Sequence, residues 1–488
     1  MSAEAKGSAE DLKYWPAAQG AVYQWHFRPF EIDGKPTTAE VEEYANLIPP
    51  ERLPKSHFTP PAIRPDSKIA ITLERSGCMG SCPSYQVRLS TEAVEFKGGG
   101  FVVASGKHTA ALDPSIVRAL ARQFVMADFY SMDPSYLANV TDMPGYSLTI
   151  SIDGEEKQVH DYVGSWVGMP DAVSDLENKV DEVAQTSRWV EGKDGLVLAL
   201  KAEKYDFHTF DAQATLKAAA QNGQIATVRE LLDAGVPLKP IPAPKPKEPY
   251  MRVPFADVGW LNAASAHPDA LQILLDAGAS NDDQEDKDLA LAGAANTGSL
   301  LSVRALLNYG ADPNYDLSKR QGAGRGSALI SAASSGKPDV LREILMHKPK
   351  LELRGQDGQT AMFAAGDYRN TDADGARIEC VRLLAEAGAN VNARDDDGNT
   401  PLHETFLEDV AEELIKLGAN VNARNDDGET PLFTTVSDEI VKILIAHGAD
   451  PYIQNKKGKT VFDEANTHGP SRERVLREAI AEAKERQR

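Results

Sequence analysis

Cysteine is scarce in this chain, with three among 488 residues. Cys380 lies beside Val381 at an apolar position of a helical stretch and reads as a core thiol, so Cys78 and Cys82 are the only candidates for cysteine chemistry. Long hydrophobic runs are missing as well. None approaches the roughly 20 apolar residues that a membrane helix needs, and no membrane span is expected. Positive charge is in deficit: Lys and Arg total 52 against 73 Asp and Glu, and the net charge of −21 repels a phosphate backbone, which argues against nucleic acid as a partner. Residues 1–11 lack an apolar core, so no signal peptide is read there. With Met1 as the native start the chain is expected in the cytoplasm, and as a processed chain in the periplasm or exported. What the chain does have is 42% hydrophobic and 26% charged residues, a balance that predicts a soluble folded protein, with length for about three units.

The most informative stretch is 388–403. Gly388 falls where a helix stops and can take the left-handed backbone of a C-terminal cap, and Asp397-Gly398 suits the tip of a tight hairpin. Thr400-Pro401 then opens a helix with a hydroxyl cap and a residue that needs no N–H partner. The same joint recurs over 418–432, with Asp427-Gly428 and Thr430-Pro431. The Thr-Pro-Leu-His run at 400–403 resembles the ankyrin-repeat family, which implies stacked helical pairs. Helical pairs are expected over 214–238, 261–278, 289–310, 328–348, 360–388, 400–418 and 430–448, and from Thr460 a last pair with a charged outer face closes the stack. Gly388, Gly418 and Gly448 are each 30 apart, against a family period of about 33, so the turns after Phe406 and Val436 are expected to be tightened. A Pro- and Lys-rich insertion at 240–254 and a lengthened turn at 367–377 interrupt the pattern.

Residues 1–60 are Pro-rich and hold one compact cluster, Val22-Tyr23-Gln24-Trp25-His26-Phe27-Arg28-Pro29-Phe30, followed by Asp33-Gly34-Lys35-Pro36. The alternation predicts an accessory hairpin, similar over this short stretch to the end of the first strand in the C-terminal domain of TonB-type energy transducers. From Lys68 the period becomes two, with Ile69, Ile71 and Leu73 alternating with Ala70, Thr72 and Glu74. Further strands are expected at 85–89, 93–97, 101–104, 147–152 and 158–162, with Asp153-Gly154 turning the last two. Helices are expected at 114–126, facing the core with Ile116, Leu120, Phe124 and Val125, and at 170–187, with Val173, Leu176, Val180 and Val183. The loop Ser76-Gly77-Cys78-Met79-Gly80-Ser81-Cys82-Pro83, with Thr141-Asp142-Met143-Pro144 and Trp189-Val190-Glu191-Gly192, resembles a bacterial domain family of unknown function. The whole reads as an α+β N-terminal domain over 61–192, an antiparallel sheet with two helices, followed by an all-α ankyrin-repeat solenoid over 193–488.

Four readings stand for Cys78 and Cys82: a loop disulfide, inert reduced thiols, a metal site and a redox centre. A zinc site would need four ligands, and only His108 and His160 are on offer, neither at a paired spacing. Cys82 and Arg88 satisfy a Cys-x5-Arg count, but the residues between them carry no Gly and cannot wrap a phosphate. Ser76, Asp142 and His160-Asp161 could make a hydrolase-like trio, yet nothing places Ser76 on a nucleophile turn. Gly98-Gly99-Gly100 reads as a bulge or turn, and the resemblance to ankyrin repeats implies that His403 braces its own turn. No catalytic residue, cofactor or metal ligand is therefore expected, and a bridge between Cys78 and Cys82 is expected if the chain is exported. The leading reading is a non-enzymatic protein-interaction scaffold; the alternative is an enzyme or thiol-redox module in the α+β domain, targeted by the repeats. Two hairpin tips, Arg394-Asp395-Asp396-Asp397 and Arg424-Asn425-Asp426-Asp427, are net acidic and lie beside Glu404 and Glu408, while the next reads Asn455-Lys456-Lys457. Arg394, Asp396, Glu404, Arg424, Asp426 and Lys456 are the candidate partner-binding residues, and a basic protein is the expected complement.

Overall fold

The computed structural model describes residues 58–242, 258–280, 283–317, 326–366, 375–465 and 470–486, and the backbone of two short strands. These are Phe30–Ile32 (β1) and Lys35–Thr37 (β2), paired antiparallel. Most of the expected insertion at 240–254, most of the long turn at 367–377 and the Trp25 end of the N-terminal cluster lie outside the described residues. The chain forms two compact units, one running to Val190 and taking in Leu198–Tyr205, the other comprising Glu191–Val197 and the chain from Asp206 onward.

In the first unit seven strands form one sheet: Ile69–Arg75 (β3), Tyr85–Ser90 (β4), Val94–Gly98 (β5), Gly106–Ala110 (β6), Ser135–Leu137 (β7), Tyr146–Ile152 (β8) and Glu155–Tyr162 (β9). Their order is β6-β5-β4-β3-β8-β9-β7. Alternation assigns the faces. Ile69, Ile71, Leu73, Val87, Leu89, Leu148 and Ile150 point to the buried side. Two helices cover that side, Pro114–Met126 (α1) and Asp171–Ala184 (α2), burying Val117, Leu120 and Phe124 from the first and Val173, Leu176 and Val180 from the second. Each such side chain taken from water is worth roughly 1.5–3 kcal/mol, an upper estimate because the unfolded chain is already partly compact.

Three expectations for this unit are corrected. The sheet is mixed, because β7 pairs parallel to β9. Helix α1 follows β6 at one sheet edge and precedes β7 at the other, and β7 runs in the direction of β9. Residues 101–104 are not a strand: Gly99 and Gly100 donate to the backbone and Oγ of Ser84, and Val103 and Ala104 then donate to the carbonyls of Val190 and Trp189. The true edge strand is β6, where Lys107, His108 and Thr109 give no apolar alternation. Ile116 faces solvent and Val117 takes its place in the core.

The second unit is a run of antiparallel helical pairs. It begins with Phe210–Gln221 and Ile225–Asp233, continues through pairs such as Ala328–Ser335 with Pro338–Met346, and ends with Val461–Ala465 and Pro470–Arg486. Outer helices bury the repeated apolar stripe, for example Val410, Ala411 and Leu414, then Ile440, Val441 and Leu444. The three residues lost per repeat come out of the inner helix. Pro401–Glu404 and Pro431–Thr434 are single turns, against eight residues in Ala328–Ser335. Two ladders join the repeats. On the outer helices Arg304 pairs with Glu343 (2.7 Å), Arg342 with Glu379, and Arg382 through two bonds with Glu413 (2.6 and 2.9 Å). In the joints, Asn392 Nδ2 donates to the Gly418 carbonyl and its Oδ1 accepts from Asn420 N; Asn422 does the same with Gly448 and Asp450 one repeat later. Those bonds occupy helix-end carbonyls that have no partner within their own helix.

Candidate functional site

In the first unit the apolar core ends in a polar row. Strand register aligns Tyr85 with Arg75, Arg75 with Tyr146, and Tyr146 with Asp161, all on the buried face. Helix α2 meets this row with two carboxylates, Glu177 and Asp181. Asp181 accepts from Arg75 Nη2 (2.5 Å), from Tyr85 OH (2.8 Å) and from Thr186 Oγ1 (2.8 Å), and the Arg75 guanidinium lies 4.6 Å from the centroid of the Tyr146 ring. Glu177 is 4% exposed and its Oε1 has no hydrogen-bond partner. Burial, then the charges of Asp161 and Asp181, push its carboxyl up to about 8 against the pull of Arg75, so it is chiefly protonated at neutral pH. Burial and the Asp181 charge likewise raise the Tyr85 phenol far above its ordinary range.

Loops from three strand ends gather over this row. Cys78 and Cys82 are joined as a disulfide, with Cα atoms 5.5 Å apart, in the loop between Arg75 and Tyr85. Ser76 ties that loop to 141–145: its N–H donates to the Gly145 carbonyl (2.9 Å) and its Oγ accepts from Gly145 N (2.8 Å). Met143 N donates to Tyr162 OH (3.2 Å). Trp189 lies stacked on Phe96 (5.0 Å), which in turn contacts Tyr85 (5.5 Å). The Cys78–Cys82 loop, the 141–145 loop and Trp189 are thus linked through Ser76 and Tyr85, and Met79 and Met143 on the two loops are exposed.

The hydrolase-like trio is not assembled. His160 Nδ1 lies 2.7 Å from Ser147 Oγ, Asp161 accepts from Gly164 N (2.6 Å), and Ser76 is held by Gly145. His108 is buried between the Ser105 carbonyl (2.9 Å) and Glu203 (2.7 Å), whose other oxygen accepts from Thr109 N (2.9 Å). Glu203 therefore blocks an N–H of the edge strand β6. Cys380 is fully buried, and burial pushes its thiol up to about 12.

The candidate binding residues of the second unit lie on its hairpin tips, which are stitched in series. Asp396 N donates to Asp357 O (3.0 Å), Asp426 N to Asp397 O (2.9 Å), and Lys456 N to Asp427 O (2.8 Å). Within the tips, the side chains of Asp395, Asn425 and Asn455 each accept two backbone N–H groups. Arg354 pairs with Asp396 (3.1 Å) and Arg394 with Asp426 (3.0 Å), each reaching to the next tip. Asp396 and Asp426 are consequently neutralised from within the stack. Asp357, Asp397 and Asp427, one position on, are exposed and make no ion pair with the described residues. Glu404 is exposed and accepts from Asn399 Nδ2 (3.0 Å).

Comparison with known proteins assigns both units. Residues 69–184 match the family described as "Domain of unknown function (DUF6438)". Residues 293–392 and 329–425 match "Ankyrin repeats (3 copies)", and 427–456 match "Ankyrin repeat". The chain is a DUF6438 domain followed by ankyrin repeats. Among curated proteins it is 33% identical over 84 residues to the Ankyrin repeat-containing protein P1E11.10 of Schizosaccharomyces pombe, a match covering 17% of this chain and 37% of that one. It is 30% identical over 107 residues to SH3 and multiple ankyrin repeat domains protein 1 of Homo sapiens (22% and 4% covered), and 30% over 156 residues to NF-kappa-B inhibitor cactus of Drosophila yakuba (31% and 28%). Each match spans well under half of the relative's length. Among solved structures, the human ASB11 ankyrin repeat domain aligns with TM-score 0.38 at 22% identity, over 48% of this chain and 98% of that one. A complex of the Bdellovibrio bacteriovorus predatory endopeptidase Bd0816 with immunity protein Bd3460 aligns with TM-score 0.33 at 28% identity, over 38% and 96%.

Sequence reasoning missed the polar row of the DUF6438 domain, although its signal was present. Arg75 continues the 69, 71, 73 register onto the buried face, and Glu177 and Asp181 follow Val173 at helical spacing. In the ankyrin unit it named Asp396 and Asp426, where the exposed unpaired acids are their neighbours.

Proposed function

We propose that this chain is a non-enzymatic scaffold of bacterial type whose ankyrin repeats hold a protein partner, and that a basic segment of the partner docks along the hairpin tips. Ankyrin repeats are a protein-interaction module. The observation that carries the finer reading is the line of Asp357, Asp397 and Asp427, exposed and unpaired among the described residues, on successive tips that backbone bonds hold in register. Asp396 and Asp426 face Arg354 and Arg394 instead, so substituting them perturbs the stack and not the free charge. A hexalysine peptide titrated against the full chain and its Asp357→Asn/Asp397→Asn/Asp427→Asn variant tests this. The variant should associate more slowly at 0.1 M salt and equally at 1 M, as the screening length falls from about 10 Å to about 3 Å. Equal on-rates at low salt would remove the acidic edge as the docking face.

A thiol-redox role for the DUF6438 domain is the second reading. It is favoured by the placement of the Cys78–Cys82 bridge in a loop whose two feet, Arg75 and Tyr85, both rest on Asp181. A bridge that neither glutathione nor a dithiol opens in the folded chain would end that reading.

A further inference from the structure

We infer that the last hairpin tip of the array, together with Arg424 reaching across from the tip before it, docks an acidic segment of a protein partner through Arg424, Lys456 and Lys457. This extends the reading of the tip edge as a docking face to a second patch of opposite sign. Lys456 stands where two preceding joints have an aspartate. Its backbone N–H donates to Asp427 O, just as Asp396 and Asp426 donate to Asp357 and Asp397. Those aspartates neutralise Arg354 and Arg394, whereas Arg424 meets a lysine. Lys457 occupies the position of the exposed Asp397 and Asp427: its N–H donates to Asn455 Oδ1 (3.0 Å), as theirs do to Asp395 and Asn425.

The backbone of the joint is unchanged by this reversal, so folding does not ask for it. Arg424 remains held by the carbonyls of Gly428 (3.2 Å) and Gln454 (2.7 Å), which fixes its charge without a carboxylate. Arg424, Lys456 and Lys457 are all exposed and none makes an ion pair with the described residues; Lys459 nearby is engaged by Glu464 (3.1 Å). Like charges set where opposite charges would complete a ladder are a local conflict of the kind that marks function rather than stability. The chain carries −21, so these three cations, unpaired among the described residues where the last two tips meet, form a positive spot in a negative field. A few carboxylates on a peptide fit such a spot. A nucleic acid strand, whose charge extends well beyond it, meets the acidic tips that precede it along the edge.

The test uses the full chain and a fluorescein-labelled hexaglutamate peptide, read by anisotropy, with hexalysine and a single-stranded hexanucleotide as parallel probes. Saturable hexaglutamate binding at 0.1 M salt is expected, weakened at least about tenfold by Lys456→Asp and abolished at 1 M salt. The same substitution gives Arg424 the carboxylate that Arg354 and Arg394 already have, so its thermal midpoint should stay level or rise. A loss of binding therefore cannot come from unfolding. Hexalysine binding should survive Lys456→Asp, which separates this patch from the acidic tips: if hexalysine fails to bind at all, the hexaglutamate result still stands. Hexaglutamate binding unchanged by Lys456→Asp, or absent at low salt, overturns the inference. Preference for the hexanucleotide over hexaglutamate overturns the assignment to a protein segment.

Discussion

Nε2 of His403 donates to the carbonyl of Glu429 in the following repeat, 3.1 Å away, while its Nδ1 accepts from the N–H of Thr400 at the start of its own helix (3.0 Å). One neutral imidazole caps a four-residue helix and closes a joint. Protonating Nδ1 would break the bond to Thr400, and burial holds the ring down at about 4 from an ordinary 6.5. The sign follows directly: between about pH 6.5 and 4 the unfolded chain takes up a proton that the folded chain refuses, so stability falls as pH falls through that window. Denaturant unfolding of the full chain should show His403→Gln less stable at pH 7 by about 1–2 kcal/mol. The difference from wild type should shrink by on the order of 2 kcal/mol at pH 4.5, and a constant difference would contradict the assignment.

Glu177 titrates the other way. Its carboxyl is raised to about 8 from 4.5, so the folded chain keeps a proton that the unfolded chain loses, and stability falls as pH rises from about 4.5 to 8. Glu177→Gln keeps the shape and removes the titration. It should stabilise the DUF6438 unit at pH 8 by on the order of 2 kcal/mol and have little effect at pH 4.5. A variant that is equally destabilised at both values would instead mean that the carboxyl makes a specific bond.

What was legible in the sequence was whatever repeats or alternates. Ile69, Ile71 and Leu73 announce their strand, and the joints at 388–403 and 418–432 announce the stack. Strand Gly106–Ala110 was hidden because it lies at the sheet edge, with Lys107 and Thr109 exposed and His108 alone buried. Residues 101–104 read as a strand because they are apolar, but Val103 and Ala104 are buried with their N–H groups bonded to the backbone of Val190 and Trp189. The acidic tips were readable as composition. Their arginine partners were not, because Arg354 and Arg394 reach across a joint into the next repeat, and no local spacing reports such a contact.

The Cys78–Cys82 bridge closes a very short loop, so in the chain-entropy account its contribution is small, no more than about 2 kcal/mol. Alkylation of unfolded but unreduced protein, followed by intact-mass measurement, should label one cysteine, Cys380. Alkylation of the folded chain should label none, because Cys380 is buried with its thiol pushed up to about 12. Three labels on protein prepared from an oxidising compartment would count against the bridge.

The last prediction separates two glycines with the same backbone requirement. Gly398 and Gly418 both have positive φ, +76° and +97°, where any residue with a Cβ is strained by roughly 1–2 kcal/mol. Around Gly418 nothing lies within 4 Å of an added Cβ, so Gly418→Ala should show that strain alone. At Gly398 the new atom would come within 2.3 Å of Arg394 Nη2 and 2.4 Å of Asp426 Oδ1. Both are the ends of exposed side chains and can move, but moving them parts the Arg394–Asp426 pair and the bond from Arg394 Nη1 to the Arg424 carbonyl (2.7 Å). Gly398→Ala should therefore cost about 1 kcal/mol more than Gly418→Ala, with an exposed ion pair setting that modest scale. The surplus belongs to Arg394, so it should vanish when both glycine variants are compared in an Arg394→Ala background, and part of it should fade in 1 M salt. Equal costs for the two glycines in wild-type background, or a surplus that survives removal of Arg394, would show that the tip is held by its backbone bonds and that the arginine ladder adds nothing.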